Sequence, residues 1–225
     1  MSDMAYHFGV FMGDGFVERY KPGSSVCYIG LKAIDKDFVE HYQQVLFRLT
    51  GKLYKLHAES PESANRHTRW RCRVGYRELV EKTLSDTQRK LKIPDWIMMG
   101  DSEEKRAFIQ GVMDSEAWIS CTLQALGPSR VQMSVGVTSD WIHSLHKLFS
   151  ELNVETTKVY TRKFKDSPKY LKPRRDFYSF DIDIVQYVDA GLTFNILRKR
   201  HRLEYCSRIL RDFTRDYPRY KTYFE

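Results

Sequence analysis

The stretch Tyr6-His7-Phe8-Gly9-Val10-Phe11-Met12-Gly13-Asp14-Gly15 decides the reading of this chain, because it occurs twice. Residues Ala107-Phe108-Ile109-Gln110-Gly111-Val112-Met113-Asp114-Ser115-Glu116-Ala117 restate it at a constant offset. Gly9 to Gly111, Gly13 to Ser115 and Asp14 to Glu116 are each 102 positions apart. Each copy predicts a short apolar helix that ends in an acid. The small residues lie four apart, so they share one helical face. Two such faces let helix backbones approach closer than the usual ~8–10 Å between axes. That packing is expected to bring the two terminal acids together. There the helix dipole and like-charge repulsion destabilise them unless a cation is present, and a divalent metal with oxygen ligands is the simplest cation. One Asp14-Gly15 pair alone would read as a helix stop with glycine in the left-handed position. Two copies in register favour the acidic site.

The chain between the copies repeats as well. Strands are expected at Phe16 to Lys21 and Val26 to Ala33 around Pro22-Gly23-Ser24-Ser25, followed by a helix from Asp35 to Gly51. Its apolar residues Phe38, Val39, Tyr42, Val45, Leu46 and Leu49 recur as Trp141, Ile142, Leu145, Leu148, Phe149 and Leu152, each 103 positions later. Six matches in one helical phase establish an internal repeat. A second hairpin is read from Lys52 to Glu59 and Arg66 to Val74, and a third helix from Tyr76 to Leu91. The second half gives strands at Glu116 to Leu126 and Arg130 to Val137, a helix opened by Thr138 or Asp140, and strands at Val154 to about Phe164 and Asp176 to Ile184. A short helix at Val185 to Ala190 and a basic one capped by Asn195 follow. The repeats therefore span 1–100, with a connector at about 92–101, and 101–225. Each is an α+β unit of helices on one face of an antiparallel sheet.

Composition narrows the partners. With 42% hydrophobic residues in 225, the chain can bury a sizeable core. Its formal net charge is +8, shared as +4 on residues 1–100 and +4 on 101–225, so no basic tail carries it. A basic, aromatic-rich chain suits a polyanion. Cys27, Cys72, Cys121 and Cys206 lie far apart without a CxxC, which indicates free thiols rather than a disulfide framework or zinc. No apolar run reaches the ~20 residues of a membrane span, and the first residues lack signal-peptide character, so an intracellular protein in cytoplasm or organelle matrix is expected. His143 and His146 lack further ligands and read as solvated or hydrogen-bonded side chains.

The strands supply candidate nucleic-acid contacts. Arg69, Arg71 and Arg73 alternate with Trp70, Cys72 and Val74, which sets three guanidiniums on one face. Glu18, Tyr20 and Tyr28 are counted with them. In the second half Ser120, Thr122 and Gln124, then Arg130, Gln132 and Ser134, alternate with apolar residues and offer donors and acceptors to base edges. The run holding Arg162, Lys163, Lys165, Lys169, Lys172, Arg174 and Arg175 suits a phosphate backbone.

The two copies resemble the paired LAGLIDADG motifs of single-chain homing endonucleases, His7 to Gly15 matching one motif and Ile109 to Ala117 the other. Met12 departs from the motif's first Asp, which the second copy keeps as Asp114; Glu116 and Ala117 replace the closing Asp and Gly. The resemblance implies two αββαββ(α) units related by a pseudo-twofold through the motif helices, with sheets forming a saddle over duplex DNA. It further implies a monomer that hydrolyses one phosphodiester in each strand of a long asymmetric site, using Mg2+ or Mn2+. The metal ligands would be Asp14 and Glu116, with the carbonyls of Gly13 and Ser115 as additions. Arg73, and after it Lys32, match the family's auxiliary basic group. In the second half Asp183 falls near the equivalent place, and Ala33 and Gly136 stand where some members have polar residues. The alternatives on the same fold are a maturase that binds intron RNA and a DNA-binding protein that does not cut.

Overall fold

The computed structural model describes residues 2–19, 26–60, 67–124, 127–163 and 176–216; the side chains of 123, 124, 127–130 and 213–216 are outside that description. Two compact units emerge. The first holds residues 1–115 with Phe194–Leu197, and the second holds 116–193 with 198–225.

The first unit runs α1 (Asp3–Met12), β1 (Gly15–Arg19), β2 (Cys27–Ala33), α2 (Lys36–Thr50), β3 (His57–Glu59), β4 (Arg69–Val74), α3 (Arg77–Asp86), α4 (Asp95–Met98) and α5 (Ser102–Glu116), whose last residue falls in the second unit. Its antiparallel sheet has the order β1-β2-β4-β3, so the arginine strand β4 is internal. Ile29, Leu31, Cys72 and Val74 on one sheet face are buried with Phe38, Val39, Tyr42, Val45 and Leu46 of α2 and with Leu79 and Val80 of α3. The apolar stripe that sequence periodicity assigned to α2 is thus the core stripe. Gly51 ends α2 at φ 67°, its N–H donating to the Phe47 carbonyl at 2.8 Å, a geometry glycine adopts without penalty.

His7 lies on α1 and is wholly buried. Its Nε2 is 2.9 Å from Thr83 Oγ1 and its Nδ1 2.8 Å from Tyr42 Oη. The Thr83 hydroxyl already donates to the Leu79 carbonyl, so it accepts from Nε2–H, and Nδ1 accepts from Tyr42. The neutral ring is satisfied at both nitrogens, and burial lowers its pKa to about 3.

The second unit runs β5 (Ala117–Gln124), β6 (Gly127–Val137), α6 (Ile142–Glu151), β7 (Tyr160–Arg162), β8 (Phe177–Ile182), α7 (Ile184–Asp189) and α8 (Leu197–Asp216). Its sheet order, β5-β6-β8-β7, repeats that of the first. Ile142, Leu145, Leu148 and Phe149 of α6 are buried with Met133, Val135, Phe180 and Ile182, and the Phe149 and Phe180 rings meet edge to face at 5.6 Å.

Several elements are shorter than the sequence suggests. Residues 52–56 are not strand, because the Gln43 amide of α2 donates to the Tyr54 carbonyl and draws that segment toward the helix. In the second unit His146 of α6 is bonded to the Thr157 carbonyl at 3.1 Å. Both residues of this contact lie 103 positions after those of the first, so the repeat extends to individual hydrogen bonds. His146 is thereby a structural side chain, as expected. Helix α3 stops at Asp86 rather than Leu91, and Gln88, Arg89 and Lys90 follow at φ 47°, 58° and 71°. One left-handed turn of three residues with side chains is unfavourable by about 1–2 kcal/mol per residue, and it redirects the chain. Asp183 is the N-cap of α7, its carboxylate accepting from Gln186 N–H at 2.8 Å. Sequence reasoning placed this residue near the second-half equivalent of the auxiliary group. No helix among the described residues is long and apolar enough to cross a membrane.

Candidate functional site

Helices α1 and α5 touch at their glycines. A Cβ on Gly9 would stand 2.1 Å from the Phe108 carbonyl oxygen, and one on Gly111 2.4 Å from that of Tyr6 and 2.8 Å from Val10 N. No side chain fits between these backbones, which is the close approach that the small-residue spacing predicts.

At the end of α1 the chain leaves the helix at Gly13, at ψ −111°. Asp14 follows in a turn and is exposed. Gly15 begins β1, where a Cβ would lie 2.6 Å from Phe11 Cα. In the second copy α5 continues through Ser115 to Glu116 and passes directly into β5 at Ala117. The helix there is not left early, so alanine is accommodated in place of glycine. Glu116 is half-buried, and Ser115 Oγ donates to the Gly111 carbonyl at 3.1 Å.

The left-handed turn after α3 delivers Lys90 to the end of α1. Its ammonium donates to the carbonyls of Gly13 and Gly15 at 2.6 Å each and lies 5.1 Å from the Phe11 ring centroid. Two main-chain oxygens therefore already gather a cation beside Asp14. Sequence reasoning missed Lys90 because it read residues 76–91 as one helix, and no glycine or proline marks the turn. Among the described residues no group of three or more His, Cys, Asp and Glu is arranged as a metal cluster. The oxygen donors at the motif end are instead two carbonyls and single carboxylates, a set suited to a hard cation.

Asp114, the acid retained where the first copy has Met12, is 1% exposed. It accepts from Tyr6 Oη at 2.8 Å, from Asn195 N–H at 2.9 Å and from Asn195 Nδ2 at 2.9 Å. Burial first, then the Asp114 charge, raises the Tyr6 pKa well above 10.0, so the phenol remains a donor. Asn195, expected to cap the last helix, spends its donors on Asp114. The Asp37 carboxylate accepts from Leu197 N–H at 2.6 Å, at the first residue of α8.

The polar face of the first sheet is an ion-pair network. Arg73 is bonded to Glu18 and its guanidinium lies 4.4 Å from the Tyr28 ring centroid. Arg71 approaches Glu59 at 3.3 Å and Glu18 at 3.9 Å, Lys32 pairs with Glu59, and Arg69 is exposed. The Lys32 hydrogen bond, first, and the nearby arginine charges hold the Glu59 carboxyl below its ordinary range. Arg73 and Lys32 thus share this network. Glu59 was not singled out from sequence, although strand register sets it opposite Arg69. On the second sheet Gln132 Nε2 and Ser134 Oγ donate to Asp181 Oδ1 at 2.7 and 2.5 Å. Ser120 is half-buried there, Thr122 exposed, and Asp181 is the acid that strand alternation alone did not flag. Arg162 ends β7, and Lys163 follows it, exposed. Tyr20, Lys165 and Lys169 lie outside the described residues, as do the side chains of Gln124 and Arg130.

No protein-family model matches the chain. The uncharacterized protein MJ0398 of Methanocaldococcus jannaschii is 21% identical over 210 residues, covering 90% of this chain and 70% of that one. The homing endonuclease I-DmoI, solved with DNA and Mn, superposes with a TM-score of 0.55 at 16% identity, over 84% of this chain and 94% of its own. The LAGLIDADG meganuclease I-AabMI, bound to uncleaved DNA, gives 0.51 at 9% identity over 99% and 93%. Full-length DUF199/WhiA from Thermotoga maritima gives 0.54 at 10% identity over 93% and 60%. Homing endonucleases and DUF199/WhiA thus share this architecture. With its duplicated motif helices and two four-stranded antiparallel sheets in repeated αββαββ units, the chain has the LAGLIDADG homing endonuclease fold.

Proposed function

We propose that the protein is a site-specific, metal-dependent DNA endonuclease that hydrolyses one phosphodiester in each strand of a long asymmetric duplex site, acting as a monomer. The observation that carries this reading is the cation-gathering end of α1, where Lys90 bridges two carbonyls beside Asp14. Asp14 and Glu116 would hold Mg2+ or Mn2+, with the carbonyl of Ser115 as a further oxygen donor and that of Gly13 another if Lys90 gives it up. Such a metal, when bound, supplies a more acidic water and charge compensation for the leaving oxygen. Lys90 places a positive charge on the carbonyls that flank Asp14 in sequence and offsets the phosphate charge brought there. The sheet faces position the duplex through Arg69, Arg71, Arg73, Gln132 and neighbouring polar groups. Two halves with different side chains at matching strand positions read different half-sites.

The second reading is a DNA-binding protein on this fold that does not cut; binding of intron RNA is the third. Two variants separate the first from the rest. Asp14→Asn and Glu116→Gln should each abolish double-strand cleavage in Mg2+ while retaining duplex binding in EDTA. Full cleavage by either variant removes that carboxylate from the mechanism, and binding without cutting by the wild type establishes the second reading.

A further inference from the structure

Arg73 is constrained on three sides. Glu18 accepts from one end of its guanidinium, its guanidinium carbon lies over the Tyr28 ring, and Gly30 stands opposite it on β2. A Cβ on Gly30 would come within 2.8 Å of Arg73 Cβ and 2.2 Å of the Cys72 carbonyl oxygen, so the bare strand position leaves room for the arginine. Both Arg73 and Glu18 are about one-third exposed, at 30% and 34%. The group is open to a ligand yet unable to swing freely.

The adjoining charges argue against phosphate as that ligand. Three cations, Lys32, Arg71 and Arg73, share two carboxylates, Glu18 and Glu59, and a phosphate brought to them would meet both anions. A neutral acceptor meets no such repulsion. Guanine presents O6 and N7 side by side in the major groove, a pair that matches two parallel guanidinium N–H groups. The paired cytosine offers an N4 amino group, which a neighbouring carboxylate can accept.

Building on the nuclease reading, we propose that Glu18 is a specificity-determining, positioning residue. With Tyr28 it fixes Arg73 so that the free guanidinium edge reads one guanine of a G·C pair, and its charge keeps Arg73 off phosphates. The arginine is then a base reader, and it contributes to binding rather than to the cleavage step.

The test selects a randomised duplex library with the full chain in EDTA, and sequences the bound DNA for wild type, Glu18→Gln, Arg73→Ala and Tyr28→Leu. The wild type should require G·C at one position, and all three variants should relax that same position, by about tenfold. Glu18→Gln should also bind non-cognate DNA more tightly, with the log-log salt slope steeper by roughly 0.9 for one more phosphate neutralised. A merely structural role for Glu18 would lower the melting temperature and weaken all sequences alike, and that result overturns the proposal. So does an unchanged base preference in Glu18→Gln. If Glu18→Gln does not fold, Tyr28→Leu decides alone by the same position. A wild type that selects DNA but does not cut it in Mg2+ overturns the nuclease reading and leaves this one standing. One that cuts, with preferences indifferent to Glu18, does the reverse, and one that binds no duplex overturns both.

Discussion

Acidification should destabilise this protein through His7 before its carboxylates titrate. An unfolded histidine has a pKa near 6.5, whereas burial lowers that of His7 to about 3. Between those values the unfolded chain binds the extra proton, so stability is present above about pH 6.5 and is lost as pH falls toward 3. One pKa unit corresponds to about 1.36 kcal/mol. The loss relative to pH 7 is therefore about 2 kcal/mol at pH 5 and about 3 kcal/mol at pH 4. Against the roughly 5–15 kcal/mol that holds a typical domain, this is a substantial fraction. The perturbation is His7→Gln, whose amide keeps an acceptor for Tyr42 and a donor for Thr83 but carries no titrating group. Urea titrations of both proteins at pH 7, 6, 5 and 4 give the comparison. The variant starts lower at pH 7 through imperfect packing, but its slope with pH should be flatter by the amounts above. Subtraction removes the shared contribution of Glu59 and other carboxylates. Parallel curves for the two proteins, or an NMR titration of His7 with a midpoint near 6.5 in the folded state, would refute the reasoning.

Three further outcomes follow from the structure. Gly111→Ala inserts a methyl against the Tyr6 carbonyl and Val10 N and should destabilise the chain by about 1–3 kcal/mol, read by denaturant midpoint; a neutral result would mean that the helices separate without cost. Lys90→Met should slow single-turnover cleavage by about 10²-fold or more with near-normal affinity in EDTA, and an unchanged rate would make Lys90 only a tether for Gly13 and Gly15. Replacing Lys163, Lys165 and Lys169 with Ala should weaken cognate and mismatched duplexes about equally and reduce the salt slope by roughly 0.9 for each phosphate no longer neutralised, whereas altered base preference would move this segment from backbone to base recognition.

The duplicated fold was legible because its signals are periodic. Gly9 and Gly111, and the α2 and α6 stripes, recur at fixed offsets and need no knowledge of distant contacts. What escaped depends on where the chain bends without the residues that ordinarily mark a bend. Gln88, Arg89 and Lys90 have helix-compatible side chains, yet they take left-handed backbone angles, and Lys90 reaches the motif end only for that reason. Strand alternation placed Arg71 and Arg73 on one face, but it could not pair Arg71 with Glu59, which lies in a strand shortened by the pull of Gln43 on Tyr54. Asn195 read as a helix cap from local pattern, which gave no sign that its donors also hold a buried acid 81 residues away.

That long-range claim bears on how the protein comes into being. Asp114 and Asp37 take the donors of Asn195 and Leu197, and the first unit includes four residues synthesised after residues 116–193 of the second. During translation the phenol of Tyr6 and the carboxylate of Asp114 find each other early, but the remaining lone pairs wait for some eighty residues to emerge. Gly9 likewise waits for Gly111. The boundary written in the repeat and the boundary between the compact units are thus different places in the chain. Expressing residues 1–100 alone should give a molecule without its α1 partner, and genetic halves cut at the repeat should regain structure only when they are supplied together.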